Sequence, residues 1–79
     1  MPEVIVYTQP NCGDCRQAKE FFTRKGIAFR IRDIVNDPGA AQELEALGSK
    51  SLATVVIDGE VFTGFFPNIV RIREILAVR

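Results

Sequence analysis

Apolar residues recur along the chain in two rhythms, and the switches between them divide it into seven segments. "VIVYT" (Val4 to Thr8) is β-branched and aromatic with apolar residues at successive positions, the pattern of a strand covered on both faces. From about Gly13 the period becomes helical. Cys15, Ala18, Phe21 and Phe22 share one face at spacings of three and four, and Gly26 supplies a stop. "IAFRIRD" returns to alternation, with Ile27, Phe29 and Ile31 on the inward side and Ala28, Arg30 and Arg32 on the other. In "NDPGAAQELEALGS" Asp37 is an N-cap, Pro38 sits in the first turn, and Ala41, Leu44 and Leu47 form an inward stripe that Gly48 ends. "ATVVIDGEVFTG" is two strands joined at Asp58-Gly59, a strong hairpin signal. Pro67 then opens a last helix with Ile69, Ile72, Ile75 and Leu76 facing inward.

The predicted order is β-α-β-α-β-β-α, an α/β class. A first strand, crossover helix and second strand make a right-handed parallel unit. The closing hairpin is antiparallel within itself. One mixed four-stranded sheet with three helices distributed over both faces buries all the apolar stripes.

Size and charge narrow the picture. A chain of 79 residues makes one domain, spanning 1–79, and 47% hydrophobic residues are enough for a packed core. Ten basic and ten acidic residues cancel, so no broad field draws the protein to nucleic acid or to an anionic membrane. The start "MPEVIVYTQPN" has an acidic residue and too short an apolar run for a signal peptide. No apolar run approaches the roughly 20 residues needed to span a bilayer. The expectation is a soluble cytoplasmic monomer.

The chemistry lies in "YTQPNCGDCRQAKEFF", where the chain's two cysteines, Cys12 and Cys15, stand three apart between the first strand and the first helix. As a structural staple the pair is weak. Closing a 15-residue loop is worth about 3 kcal/mol on the chain-entropy model, and a loop of a few residues removes far less. As a redox centre the placement suits both sulfurs. Cys12 falls at the head of the helix, where unpaired N–H groups and the positive end of the dipole stabilise a thiolate. Cys15 lies one turn on and on the same side, at roughly 5 to 6 Å, within the Cα range a disulfide requires. Cys12 would attack and Cys15 resolve. A drop in thiol pKa from about 8.5 to about 6.5 raises the thiolate fraction at pH 7 about 25-fold, but lost nucleophilicity leaves a net gain of about threefold.

Asp14 works against this. A carboxylate ~7 Å away costs a thiolate about 0.6 kcal/mol in water and about 2.4 kcal/mol at an effective dielectric of 20. Asp14 thus raises the Cys12 pKa, unless it is simply a solvated acid of the first turn. A metal site is the rival use of the pair. With two thiolates and no histidine, the chain would need a second chain or added thiols to complete four ligands. A metal or iron–sulfur carrier formed by two chains through Cys12 is therefore the alternative function.

"VIVYTQPNCGDCRQAKEFFTRKGIAF" resembles the opening of a glutaredoxin-like protein, and "SLATVVIDGEVFTGF" resembles the later segment of that family. The resemblance covers nearly the whole chain in the same element order. It implies a thioredoxin fold and cytoplasmic thiol–disulfide exchange, with the nucleophile on Cys12 and the resolving thiol on Cys15. The substrates are then protein disulfides or mixed disulfides with small thiols. No organic cofactor is implied, since electrons pass through the cysteines and come from thioredoxin reductase with NADPH or from glutathione. Leu52, Ala53 and Thr54 line the implied substrate groove, and Thr8, Gln9, Asn11 and Phe65 are further candidates for its walls.

Three departures from the family pattern set expectations of their own. Ala53 stands where the family has a cis-proline. A cis bond before a residue other than proline costs about 2.5 to 4 kcal/mol, so a trans Leu52–Ala53 bond and a shifted loop are expected. Ala53 also regains an N–H that can bond to a thiolate or a substrate backbone. Gln9 stands near where glutathione-using members carry a basic residue, and it offers a carboxylate no charge assistance. "TGFFPNIV" replaces the family's glycine pair and aspartate, leaving Phe65 and Phe66 as an apolar surface for a protein or as core residues, with Asn68 the nearest polar group. The "GFxP" pattern is similar to that of small glutaredoxin-like redoxins that take electrons from thioredoxin reductase.

Overall fold

Strand β1 (Val4–Thr8) runs through the middle of the sheet, which explains its unbroken apolar sequence. The computed structural model describes residues 3–76, so both ends of the expected 1–79 domain lie outside the described residues. Helix α1 (Gly13–Arg24) follows, then β2 (Arg30–Asp33), α2 (Pro38–Ala46), β3 (Thr54–Ile57) and β4 (Glu60–Thr63). A 3-10 turn (Phe66–Asn68) leads into α3 (Ile69–Leu76). The sheet order is β2-β1-β3-β4, with β1 parallel to β2 and antiparallel to β3, and β3 antiparallel to β4. This is the thioredoxin fold, a mixed four-stranded sheet with three helices.

The register explains how the faces are divided. Val4 and Val6 pair with Ile57 and Val55, and Val55 pairs with Phe62. These side chains form one core with Cys15, Ala18 and Phe22 of α1 and Ile72 of α3. Tyr7 and Val56 face the other way and pack against Leu44 of α2. Helix α1 closes with a Schellman pair, Ile27 N–H to Phe22 C=O at 2.9 Å and Gly26 N–H to Thr23 C=O at 3.1 Å. In α2 the Asp37 side chain caps Gly39 N–H at 2.9 Å with Pro38 in the first turn, as its sequence indicates. Asp58 and Gly59 take φ of 48° and 87°, the left-handed pair that a two-residue hairpin turn needs.

Three local expectations change. Strand β2 begins only at Arg30, and Ile27 and Phe29 reach the core from the preceding connection. Ile31 lies opposite Val6 and so has the inward face, yet it is 43% exposed because β2 is the edge strand of the sheet. In α2 the buried residues are Ala40 and Leu44, while Ala41 is half-buried and Leu47 is exposed. Both stripes satisfy helical spacing, and the rotation of α2 against Tyr7 and Val56 selects the first. Among the described residues, no helix is long and apolar enough to cross a membrane.

Polar contacts tie α2 to the β2 edge. Arg32 bridges Asp37 (3.0 Å) and Glu43 (2.6 Å), and the Tyr7 hydroxyl donates to Glu43 Oε1 at 3.0 Å. Burial first, then the Glu43 carboxylate, push the Tyr7 phenol above its ordinary pKa, so it stays a donor. The bonds from Arg32 and then Tyr7 hold Glu43 below the ordinary carboxylate range. A depressed folded pKa contributes stability that is complete above the unfolded value and is lost as pH falls through the folded one. Glu43→Gln should therefore flatten the acid limb of melting temperature against pH. An acid limb as steep as wild type would show that this carboxylate carries none of it.

Candidate active site

The site begins where β1 runs out. Thr8 is buried at the end of the strand, and its hydroxyl donates to the Gln9 carbonyl at 3.4 Å. Gln9 and Asn11 are exposed, and Asn11 takes φ of 63°, a left-handed turn that asparagine tolerates better than most residues. That turn delivers Cys12 to the N-cap of α1 in extended conformation. Its Sγ accepts the Cys15 N–H at 3.2 Å, so the sulfur does the work of a capping oxygen. Cys12 and Cys15 are joined as a disulfide with Cα atoms 5.3 Å apart, inside the range such a bond requires. The two sulfurs differ in access. Cys12 is half-buried, whereas Cys15 is 1% exposed, with its Sγ 3.9 Å from the Tyr7 carbonyl.

The loop before β3 packs against this pair. Leu52 is half-buried and touches both cores, and Ala53 is fully buried in the cluster that holds Cys15. The Leu52–Ala53 bond is cis, which overturns the trans expectation. Ala53 is closed in on all sides, and the N–H that alanine has and proline lacks donates to Asp14 Oδ2 at 3.1 Å. That donor is thus spent on a carboxylate of the chain itself, not on a thiolate or a substrate. Thr54 is fully buried too. Its hydroxyl meets Ser49 Oγ at 2.6 Å and donates to the Ser51 carbonyl, so its side chain braces the loop from inside and does not wall a groove.

The segment after β4 is the third component. Phe65 is 1% exposed, and its ring packs on Phe21 and Phe22 with centroids 5.5 and 5.8 Å away. Phe65 therefore contributes a backbone group to the site, while its ring belongs to the core. Phe66 is the exposed aromatic, at 64%. Asn68 turns its amide onto the Thr63 and Gly64 carbonyls at 3.2 and 2.8 Å and so fastens the turn.

Asp14 joins the three components. Its carboxylate accepts from the N–H groups of Ala53, Phe65 and Phe66, so it is not a solvated acid of the first turn. No sequence signal discloses this role, because the three amides lie 39 to 52 residues away along the chain. Among the described residues, no three His, Cys, Asp or Glu side chains gather to hold a metal.

The glutaredoxin family pattern matches residues 4–62, from β1 into β4. The chain belongs to the glutaredoxin family. A glutaredoxin-like 8.6 kDa protein from the rubredoxin operon of Clostridium pasteurianum is 31% identical over 63 residues, 78% of this chain and 84% of the relative. Among solved structures, a mutant of the thioredoxin-like protein BC3987 superposes with a TM-score of 0.88 at 36% identity and covers 96% of each chain. The glutaredoxin-like NrdH-redoxin of Escherichia coli superposes with a TM-score of 0.76 at 26% identity, covering 87% of this chain and 91% of that one. This glutaredoxin-family protein is a thiol–disulfide oxidoreductase, and its dithiol is the Cys12–Cys15 pair. The family's disulfide chemistry implies two kinds of partner, an oxidised substrate and a reductant.

Proposed function

We propose that this chain reduces disulfides in protein partners, with Cys12 attacking and Cys15 resolving, and that thioredoxin reductase with NADPH restores its dithiol. The inequality of the two sulfurs carries the reading. Cys12 is half-buried at a helix head, with an N–H donated to its sulfur, and Cys15 is shut away behind it. In the first step the Cys12 thiolate attacks one substrate sulfur. A Cys12–substrate disulfide forms, the substrate bond breaks, and the departing thiolate takes a proton. Cys15 then loses its proton and attacks Cys12. The second substrate thiolate leaves, and the pair closes as the disulfide, two electrons poorer.

Leu52 forms the inner side of the groove in this reading, with the buried Ala53 behind it, Gln9 and Asn11 at its open rim and Phe66 presenting apolar surface to a protein partner. Thr8, Thr54 and the ring of Phe65 support the groove from beneath. The exposed Gln9 supplies no positive charge for a glutathione carboxylate, and the similar Escherichia coli NrdH-redoxin is described as having a thioredoxin-like activity profile. The cycle is one for the cytoplasm, where NADPH is at hand, and a single chain can perform it. The test is to supply the oxidised protein with thioredoxin reductase and NADPH, or with glutathione, glutathione reductase and NADPH, and to follow NADPH loss. The first mixture should turn over faster by at least about tenfold, a barrier difference of about 1.4 kcal/mol. Faster turnover with glutathione would assign the electrons to the small thiol instead.

A further inference from the structure

The exchange chemistry makes no direct use of Asp14, yet its carboxylate holds the most concentrated set of hydrogen bonds around the dithiol. It stands two residues after Cys12, in the first turn of α1, and is half-buried. All three of its partners come from other parts of the chain. Oδ2 accepts from Ala53 N–H at 3.1 Å and from Phe65 N–H at 2.8 Å, and Oδ1 accepts from Phe66 N–H at 3.0 Å. Main-chain N–H groups that converge in this way form an anion-binding concavity, and bonds to a charged acceptor are the stronger kind. The turn that offers two of the three donors is set by Gly64. Its φ is 101°, and a side chain there would meet the Pro67 ring at 3.3 Å.

We propose that Asp14 determines specificity from inside the fold. Its carboxylate fills the donor cluster of Ala53, Phe65 and Phe66 beside Cys12, and so closes it to small disulfides that carry a carboxylate of their own. Such a disulfide finds the donors taken and meets a like charge, whereas an uncharged or protein disulfide needs neither. With Asp14 removed, the cluster is vacant and takes the incoming carboxylate next to the attacking sulfur. The proposal rests on the reading that Cys12 attacks external disulfides.

The test follows single-turnover oxidation of the reduced protein by two small disulfides of similar size. Dithiodiglycolate carries two carboxylates, and bis(2-hydroxyethyl) disulfide carries two hydroxyls. Alkylation and intact mass report the Cys12–Cys15 pair, so no reductase enters the measurement. The ratio of carboxylate to hydroxyl rates should rise about tenfold in Asp14→Ala, the factor that about 1.4 kcal/mol represents. It should rise less in Asp14→Asn, whose amide oxygen still occupies part of the cluster. Acetate titrated onto Asp14→Ala should shift the amide signals of Ala53, Phe65 and Phe66 saturably, and leave those of wild type in place. An unchanged ratio overturns the assignment. So does an equal rise in both variants with no amide shift, which marks plain removal of a like charge. Asp14→Ser replaces the alanine variant if the latter does not fold. A wild type that neither disulfide oxidises would sink the exchange reading itself, a result distinct from either outcome for Asp14.

Discussion

Cys12→Ser should bring reduction of a protein disulfide, read as insulin precipitation, down to the uncatalysed background. A serine hydroxyl is essentially un-ionised at neutral pH and cannot form the mixed disulfide through which electrons leave the pair. The remaining thiol offers no bypass, because Cys15 is 1% exposed and a protein disulfide cannot approach it. Loss of folding would not account for the result. Serine is among the preferred N-cap residues, so it can take over the bond that Cys12 Sγ now accepts from Cys15 N–H. Cys15→Ser should behave differently. The first attack survives and resolution fails, so the protein accumulates as a mixed disulfide with the substrate, visible as an adduct by intact mass. Wild-type-like turnover in Cys12→Ser would mean that Cys15 reaches substrate, and the assigned roles would have to be exchanged.

Phe22→Ala should have the largest effect on stability. Phe22 is fully buried on the sheet-facing side of α1, and its ring meets those of Phe21, Phe29 and Phe65 with centroids 5.4, 5.7 and 5.8 Å away. Truncating a buried phenylalanine costs about 3 to 5 kcal/mol, from lost transfer energy and the cavity left behind. At about 0.05 to 0.15 kcal/mol per residue, a chain of this length holds roughly 4 to 12 kcal/mol in all. The substitution therefore removes at least a quarter of the total. The melting temperature should fall by at least about 12 °C, taking about 4 °C per kcal/mol for a domain of this size. Phe66→Ala is the control, since that ring is 64% exposed and its loss should leave the melt nearly unchanged. Similar melts for the two variants would show that the ring cluster is not the centre of the core.

Several features could be read before any tertiary structure was known, and each has a local cause. The Asp37 cap, the Pro38 first turn and the Asp58-Gly59 hairpin follow from φ/ψ preferences and side-chain bonds spanning a few residues. The placement of Cys12 at a helix head follows from the change of hydrophobic period around it. The glutaredoxin resemblance then supplied the fold and the reaction, and the family match agrees with it.

What failed was of another kind. Ile31 has the predicted face but lies on an edge strand, and strand order is not written in alternation. Phe65 and Phe66 are adjacent and identical, yet one ring is buried and the other is in water, because the 3-10 turn aims them differently. The Leu52–Ala53 bond is cis against the preference of its residue type. The partners of Asp14 were hidden because they lie 39 to 52 residues away along the chain.

The sequence by itself determined the elements, their order, the two sulfurs and the helix end on which the first of them sits. These depend on interactions within a turn or two of chain, where residue type and spacing are enough. Only the tertiary structure decided which of those sulfurs meets solvent, which aromatic is exposed, and that a carboxylate from the cysteine helix binds the amides of two distant loops. Those outcomes depend on backbone groups that every residue carries alike, and they acquire an address only when the chain has folded.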